Sequence, residues 1–267
     1  MKILLLASVL VTSEVFAWGA TGHRAVGEIA SEMLNASAGL KVHQILKGQS
    51  LARVSTWPDE IKSDPENYKY TYNWHYTDWP DEMHEHNETD SSGMLMGSID
   101  EQLKTLKDPK ATDEKKAFAL KFLVHLIGDL HMPLHVGNGL DQGGNFCKVI
   151  FHNKQTNLHA LWDDGMISFT GLSFTELAKF VRLGTTAEEV QSWKQGSPLD
   201  WALESKQLRA TIYPQEPQTS YCRKETPVME AEMPKLGYEY SYKFLPVVEK
   251  RLFQAGIRLA ELLNKNL

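Results

Sequence analysis

Apolar residues recur every three or four positions along most of the chain, which is the spacing of a helix with one buried face. This pattern predicts helices over five segments, namely 22–34, 99–107, 114–131, 173–182 and 239–264. The last segment carries Glu249, Lys250, Arg251 and Arg258 among its apolar residues. We therefore expect it to be an amphipathic packing helix and not a membrane span.

One segment departs from the helical spacing. The sequence NFCKVIFHN, residues 145–153, is rich in β-branched and aromatic residues and follows Gly143-Gly144, which predicts a small β-hairpin. Two polar stretches, 78–93 and 213–237, predict long loops of the kind that often border functional sites. Because no internal repeat or linker divides the chain, we expect a single compact, mainly α domain with a small β-hairpin.

The first residues have the pattern of a secretory signal peptide. Lys2 supplies a positive start, residues 3–12 form a short apolar core, and Val15-Phe16-Ala17 resembles a cleavage site. A buried helix or a membrane anchor is the alternative, but an apolar core of about ten residues is too short to span a bilayer. We expect residues 1–17 to be removed, leaving a secreted or periplasmic domain of residues 18–267 that begins at Trp18.

Composition narrows the class of ligand. A hydrophobic content of 42% and a charged content of 23% are ordinary for a soluble protein, whereas the net charge of -6 argues against a broad basic surface for nucleic acid. An anionic ligand would need a local source of positive charge. Cys147 and Cys222 are the only cysteines, and in an exported chain such a pair predicts a disulfide bond, the alternative being two separate buried thiols.

The most informative segment is KFLVHLIGDLHMPLHVG, residues 121–137. His125 and Asp129 are four positions apart and therefore lie on one face of an otherwise apolar helix. Burying both side chains is costly unless they pair with each other or bind a metal ion. Pro133 is expected to break the helix and so to turn His135 toward the same pocket.

Further metal-ligand residue types occur in apolar or aromatic surroundings. His159 and Asp163 repeat the spacing of four, and Asp163 is favoured over Asp164, which would point about 100° away. Together with similar residues elsewhere in the chain, they give five imidazoles and three carboxylates, which are donors that zinc accepts. This number of donors would serve about three zinc ions if one carboxylate bridges two of them. The free amine and the carbonyl of Trp18 would add a chelating pair. The full set is Trp18, His23, Asp59, His75, His125, Asp129, His135, His159 and Asp163.

Five motifs between Trp18 and Asp163 resemble, in order, those of the zinc-dependent nucleases that include mung bean nuclease and the fungal single-strand-specific nucleases. They are WGATGHR, WPDEI, NWHYTD, HLIGDLHMPLH and NLHALWD. The resemblance implies a mainly α fold with a trinuclear zinc site in a cleft. It also implies hydrolysis of single-stranded DNA, RNA and 3'-nucleotides to products with 5'-phosphates. We expect a monomer.

The resemblance also implies roles for individual residues. One zinc ion would be held by Asp59, His75, His125 and Asp129, a second by Trp18, His23 and Asp129, and a third by His135, His159 and Asp163. Asp59 and Asp129, at the paired ions, are the predicted catalytic residues. Tyr76 and Asp78 would form a base pocket, the alternative being that Tyr76 packs in the core and Asp78 caps the following turn. His131 is interpreted as lying behind the ligands or in solvent.

The implied reaction accounts for the acidic composition of the chain. The charge of three zinc ions exceeds that of three aspartates, so the metals would attract the phosphate without a lysine patch. A zinc-activated hydroxide would attack phosphorus, and zinc would stabilise the departing 3'-oxygen. One rival is a zinc-dependent phospholipase C of the same superfamily, which has Glu in place of Asp163 and lacks the NWHYTD motif. A secreted zinc-binding protein without turnover is the other.

Overall fold

Helices dominate the structure, as the apolar spacing predicts. The structure, a computed structural model, describes residues 18–87, 89, 91–215 and 217–267. The predicted signal peptide lies outside the described residues. The helices are α1 (Ala20–Met33), α2 (Ala36–Ile45), α3 (Leu51–Val54), α4 (Trp57–Glu60), α5 (Pro65–Tyr68), α6 (Leu95–Lys107), α7 (Asp113–His131), α8 (Leu158–Ala160), α9 (Met166–Phe169), α10 (Phe174–Phe180), α11 (Ala187–Trp193), α12 (Pro198–Ile212) and α13 (Tyr238–Asn266).

The central element is α7. Thr112 caps its N-terminus, because its side chain accepts a hydrogen bond from the backbone N–H of Lys115. Two acidic residues in the first turn interact favourably with the positive end of the helix dipole. From Phe122 to His131 every side chain is buried, so this half of the helix lies inside the protein. The helix stops at His131 because Pro133 has no backbone donor, and residues 133–135 form a short 3-10 turn.

Helices α1 and α13 pack against each other and against α7. The inward face of α1 carries Ala25, Val26, Ile29 and Ala30, at the spacing that the sequence predicts. The predicted helices at 22–34, 99–107, 114–131, 173–182 and 239–264 correspond to α1, α6, α7, α10 and α13. No helix in the described part of the chain is long and apolar enough to cross a membrane.

The predicted hairpin is also present. Strand β3 (Lys148–Phe151) pairs antiparallel with β4 (Lys154–Asn157), and the turn residues His152 and Asn153 have φ values of 45° and 65°, which suit a two-residue hairpin turn. Strand β5 (Lys235–Leu236) lies parallel to β3 on its other side. Near the metal-ligand candidates, β1 (Thr77–Asp78) pairs in parallel with β2 (Val136–Gly137).

The predicted disulfide bond is confirmed. Cys147 and Cys222 are bonded with an S–S distance of 2.06 Å, and their backbones form an isolated antiparallel bridge. The long loop 213–237 is therefore held against the hairpin. It is more ordered than predicted, since it contributes β5 and short 3-10 turns at Gln218–Ser220 and Glu230–Glu232.

Three helices of seven or more residues were not predicted, α2, α11 and α12. In α12 the local signals are strong, because Ser197 and Asp200 form a capping box and Pro198 occupies the first turn. The buried face of α12, however, carries the polar residues Ser205 and Arg209. These residues interrupt the apolar spacing by which the other helices are recognised.

The contact between α1 and α3 depends on the absence of a side chain at Gly27. A Cβ at Gly27 would lie 2.7 Å from backbone atoms of Leu51 and Ala52. Gly27→Ala should therefore lower the free energy of unfolding by about 1–3 kcal/mol, measured by denaturant titration. Gly39→Ala is the matched control, because a Cβ there meets only the Cβ of Leu34 at 4.0 Å. It should leave stability unchanged or raise it. Equal stability of the two variants would contradict this account.

Candidate metal centre

The nine metal-ligand candidates come from seven different parts of the fold, and eight of their side chains meet in one buried cluster or line its edge. The residues near the start of α1 and in the buried half of α7 are joined by Trp18, which precedes α1, and by those in α4, in the turns that end at His75 and His135, and in the segment that follows β4. Trp18, His23, His125 and Asp129 are fully buried, and His75, His135, His159 and Asp163 are at most 4% exposed. Asp59 is partly exposed.

The first group surrounds one oxygen of Asp129. Its Oδ2 atom lies 3.2 Å from His75 Nδ1 and 3.3 Å from His125 Nε2, and those two nitrogens are 2.9 Å apart. Asp59 Oδ1 approaches the same nitrogens at 3.8 and 3.6 Å. Four donor side chains therefore face one point.

The other oxygen of Asp129 faces a different histidine. Its Oδ1 atom lies 3.3 Å from His23 Nε2, and the His23 ring stacks on that of His125 with centroids 3.8 Å apart. This close stacking requires a glycine, because a Cβ at Gly128 would lie 2.9 Å from His23 Nδ1. The two oxygens of one carboxylate thus point at two groups of ligands, which is the arrangement of a bridging carboxylate.

The third group lies at the end of the 3-10 turn and in the segment after β4. His135 Nε2 and His159 Nε2 approach the two oxygens of Asp163 at 3.6 and 3.0 Å. Residues 161–165 form a π-helical turn, so the backbone differs from the α-helix that the spacing predicted. Asp163 nevertheless points inward, whereas Asp164 is exposed and accepts a hydrogen bond from Ser168.

Backbone carbonyls fix the orientation of three of these histidine rings. His125 Nδ1 lies 2.7 Å from the carbonyl oxygen of Ser55. His135 Nδ1 lies 2.6 Å from the carbonyl oxygen of His75, and His159 Nδ1 lies 2.7 Å from that of Gly143. A carbonyl can only accept, so each Nδ1 carries the proton and each Nε2 turns a lone pair toward the cluster. This second layer of contacts is typical of histidines that bind metal ions.

Burial sets the charge of the cluster. It lowers the pKa of His23, His75 and His125 well below the ordinary value, which leaves the imidazoles neutral at pH 7. Burial, reinforced by Asp59, raises the pKa of Asp129 well above its ordinary value. In the third group burial would raise the pKa of Asp163, but His159 and His135 lower it to about 2. A metal ion binds the neutral form of an imidazole and the ionised form of a carboxyl group.

The cluster fits metal ions in two respects. Several fully buried atoms make no hydrogen bond, including His23 Nε2, Asp129 Oδ1, His135 Nε2 and both carboxylate oxygens of Asp163. A buried polar atom without a hydrogen bond is costly unless it binds an ion. Tetrahedral zinc with bonds of about 2.0–2.1 Å separates its ligand atoms by about 3.3 Å, close to the separations of 2.9–3.8 Å in the first group.

A cavity of about 700 Å³ opens beside the cluster. This volume is within the range of small-molecule sites. His75, His135 and His159 line it, as do the two predicted base-pocket residues, Tyr76 and Asp78. Tyr76 is half-buried at the cavity wall and not packed in the core. Asp78 accepts a hydrogen bond from the Ser92 hydroxyl at 2.7 Å while it faces the same cavity.

Sequence reasoning missed Lys62. Its Nζ lies 2.7 Å from Asp59 Oδ1, and the residue also lines the cavity. The only signal in the sequence is the spacing of three between Asp59 and Lys62, which is common to solvated ion pairs on helix surfaces. Lys62 supplies a positive charge between the metal-ligand candidates and the cavity.

The sequence also left the surroundings of His131 undefined. This histidine is fully buried and not in solvent. Its Nδ1 donates to the carbonyl of Ile127, and Nε2 lies 2.9 Å from a guanidinium nitrogen of Arg258. Arg251 donates to the His131 carbonyl at 3.1 Å, and both arginines bind Glu204. The end of α7 is therefore tied to α12 and α13 directly behind the cluster.

The mainly α fold, the buried cluster of histidines and aspartates and the adjoining cavity define a candidate metal site on a helical scaffold. The sequence model described as S1/P1 Nuclease matches residues 18–267. The chain belongs to this family, whose members hydrolyse phosphodiester bonds. The family is generally metal-dependent.

Individual relatives agree with this assignment. The chain is 33% identical to Endonuclease 4 of Arabidopsis thaliana, an alignment that covers 97% of this chain and 93% of the relative. It is 28% identical to Nuclease S1 of Aspergillus oryzae, over 97% of this chain and 94% of the relative. It is 27% identical to Nuclease P1 of Penicillium citrinum, over 93% of this chain and 97% of the relative. Membership of a nuclease family sets aside the phospholipase and the non-catalytic alternatives.

The third group supplies a test with an adjacent control. Asp163→Asn should lower the zinc content of the purified protein by about one ion per chain, because an amide replaces the only carboxylate of that group. Asp164→Asn should leave the zinc content unchanged, since Asp164 is exposed and faces Ser168. Elemental analysis after dialysis gives the stoichiometry. Equal zinc contents for the two variants would exclude Asp163 as a ligand.

Proposed function

We propose that this protein is a secreted, zinc-dependent nuclease that cleaves single-stranded DNA and RNA to products with 5'-phosphates and also acts as a 3'-nucleotidase. The observation that carries the proposal is the carboxylate of Asp129, one oxygen of which faces His75 and His125 and the other His23, beside an open cavity. A structural metal site has no need of an adjoining cavity, whereas a catalytic site keeps a position open to its substrate.

Three zinc ions would be held in the groups that the geometry defines. Asp59, His75, His125 and Asp129 would hold the first ion and His135, His159 and Asp163 the third. The second would be held by His23, Asp129 and the amine and carbonyl of Trp18. The neutral imidazoles and the bridging position of Asp129 support this assignment. When bound, the ions activate water for attack on phosphorus and offset the charge that develops on the phosphate and on the departing 3'-oxygen.

The residues of the chain have distinct roles in this reaction. Asp59 and Asp129 are the catalytic carboxylates, because they face the paired sites. Lys62, in contact with Asp59 and exposed to the cavity, places a fixed positive charge where the phosphate of the substrate would lie. The carbonyls of Ser55, His75 and Gly143 keep the imidazoles in the tautomer that presents Nε2 to the cluster.

The preference for single strands follows from the walls of the cavity. A base can reach Tyr76 and Asp78 only after it has left the base stack, which costs less in a single strand than in a duplex. Tyr76 offers a ring on which any base can stack, and Asp78 offers a hydrogen-bond acceptor. In the part of the chain that the structure describes, Tyr76 stacks on no other aromatic ring, so one face of the cavity has an aromatic side chain available.

Removal of residues 1–17 would complete the site. Trp18 is fully buried, and the N–H of Gly19 donates to the carbonyl of Asp163 at 2.8 Å, so residues 18 and 19 lie beside the third group of ligand candidates. The match to the family also begins at residue 18. Both observations support a mature domain of residues 18–267 whose free amine is a ligand.

The function is tested by digestion of matched single-stranded and double-stranded DNA, and of single-stranded RNA, with and without a chelator. Single strands should be cleaved faster, the chelator should abolish cleavage, and added zinc should restore it. Asp129→Asn, prepared in parallel, should be slower by about 100-fold or more because it loses the shared ligand. The position of the product phosphate is determined by its sensitivity to a 5'-specific phosphatase. Chelator-resistant cleavage or products with 3'-phosphates would contradict the proposal.

The proposed N-terminal ligand is tested by adding one glycine before Trp18 in the mature chain. The extension converts the amine into an amide, which should lower the zinc content by about one ion per chain and reduce activity. Mass spectrometry confirms that the extension is retained. A mature chain with one glycine added after Leu267 is the control and should match the unmodified protein. Full zinc content and activity in a chain confirmed to carry the N-terminal glycine would remove the amine from the site.

A further inference from the structure

The cavity extends beyond the metal-ligand candidates and the predicted base pocket. Phe146 and Lys224 also line it, although neither belongs to the cluster or to the base pocket. They come from the segment that enters β3 and from the long loop 213–237, whereas Tyr76 and Asp78 come from the short β1–β2 pair. A second part of the fold therefore contributes an aromatic ring and a cation to the same cavity.

A disulfide bond joins the two segments that carry these residues. Phe146 immediately precedes Cys147, and Lys224 lies two positions after Cys222. Backbone hydrogen bonds flank the disulfide, from Arg223 N–H to the Phe146 carbonyl at 3.3 Å and from Lys148 N–H to the Tyr221 carbonyl at 2.9 Å. The two segments are thus paired over several residues, which fixes the position of Phe146 and Lys224 relative to each other.

The Phe146 ring suits a base. It is half-buried at the cavity wall and, within residues 18–87, 89, 91–215 and 217–267, stacks on no other aromatic ring. Most phenylalanines at such a position would pack into the core, as Phe122 does at 0% exposure. An aromatic face turned toward a cavity is the usual platform for an unpaired base, and it accepts all bases because each has a π-face.

The Lys224 side chain suits a phosphate. It is exposed and makes no hydrogen bond or ion pair with any residue that the structure describes. Its neighbour Arg223 is bound to Glu232, and the other lysine of the cavity, Lys62, contacts Asp59. Lys224 is therefore the lysine of the cavity whose charge no described carboxylate offsets.

We propose that Phe146 and Lys224 form a second nucleotide subsite. Phe146 stacks the base of the nucleotide adjacent to the one held at Tyr76 and Asp78, and Lys224 binds a phosphate of that adjacent nucleotide. The subsite rests on the proposed nuclease function and deepens it, because it makes the enzyme prefer a strand over a single nucleotide. The ligand class is a single-stranded stretch of DNA or RNA.

The subsite is tested with the zinc-loaded protein and two substrates, a short oligothymidylate and a 3'-mononucleotide. Phe146→Ala should raise KM for the oligonucleotide about tenfold, since a stacked base is lost, and leave kcat and the hydrolysis of the 3'-mononucleotide unchanged. Phe146→Tyr should retain the low KM. Phe180→Ala, which removes a phenylalanine that is 48% exposed and does not line the cavity, is the matched control.

The role of Lys224 is tested by salt dependence. Lys224→Ala should reduce the slope of log KM against log salt concentration by about 0.7, the value expected for one phosphate contact to a single strand. Lys235→Ala, which removes an exposed lysine outside the cavity, should leave the slope unchanged.

The outcomes separate the subsite from the function on which it rests. Unchanged KM and salt slope in both variants would overturn the subsite, and so would an equal loss on the 3'-mononucleotide, which would assign both residues to the first base pocket. Failure of the unmodified protein to hydrolyse either substrate would contradict the proposed function instead. In that case fluorescence anisotropy of the labelled oligothymidylate, bound to the same zinc-loaded variants, decides on the subsite, and unchanged Kd values would overturn it.

Discussion

The structure depends above all on the need to neutralise the carboxylate of Asp129. Its side chain is fully buried, its two oxygens face different imidazoles, and burial lowers the pKa of those imidazoles so that they carry no charge of their own. Among the described residues, Lys62 acts on Asp129 as a positive charge, and it contacts Asp59. A carboxylate in such surroundings is stable only when protonated or when bound to cations from outside the chain. The fold therefore forms a site for cations from outside the chain.

The helices around Asp129 are arranged to hold this unfavourable group in place. Gly128 allows α1 to approach α7 so closely that the rings of His23 and His125 stack. At the end of α7, His131 is bound by Arg258 from α13, and Glu204 from α12 offsets the charge of that arginine. A buried ion-pair network adds little to stability when compared with apolar packing, but it is sensitive to position. Its place behind the cluster suggests a geometric role, because it fixes the last turn of the helix that carries Asp129.

The sequence predicted most of the fold and of the cluster where the signal is local. The helices α1, α6, α7, α10 and α13 have apolar faces of ordinary spacing, and the ligand candidates on α7 stand out because polar residues interrupt a strongly apolar helix. Helix α12 was missed for the converse reason, since Ser205 and Arg209 point inward and break the spacing. Lys62 and Phe146 were missed because their sequence neighbourhoods resemble a surface ion pair and a hairpin strand. Only the tertiary structure brings both to the same cavity.

Two contacts fix the segments around the site, one at Gly19 and one at the disulfide bond. The N–H of Gly19 donates to the carbonyl of Asp163, and a Cβ at Gly19 would overlap the side chain of Asp164, so residues 18 and 19 pack closely against the segment that carries Asp163. On the other side of the cavity, the disulfide holds loop 213–237 against the segment that enters β3. The amine proposed as a ligand would require removal of residues 1–17, and the disulfide would require oxidation. On the proposed function, the site would therefore be complete only in a chain that has left the reducing compartment where it is made.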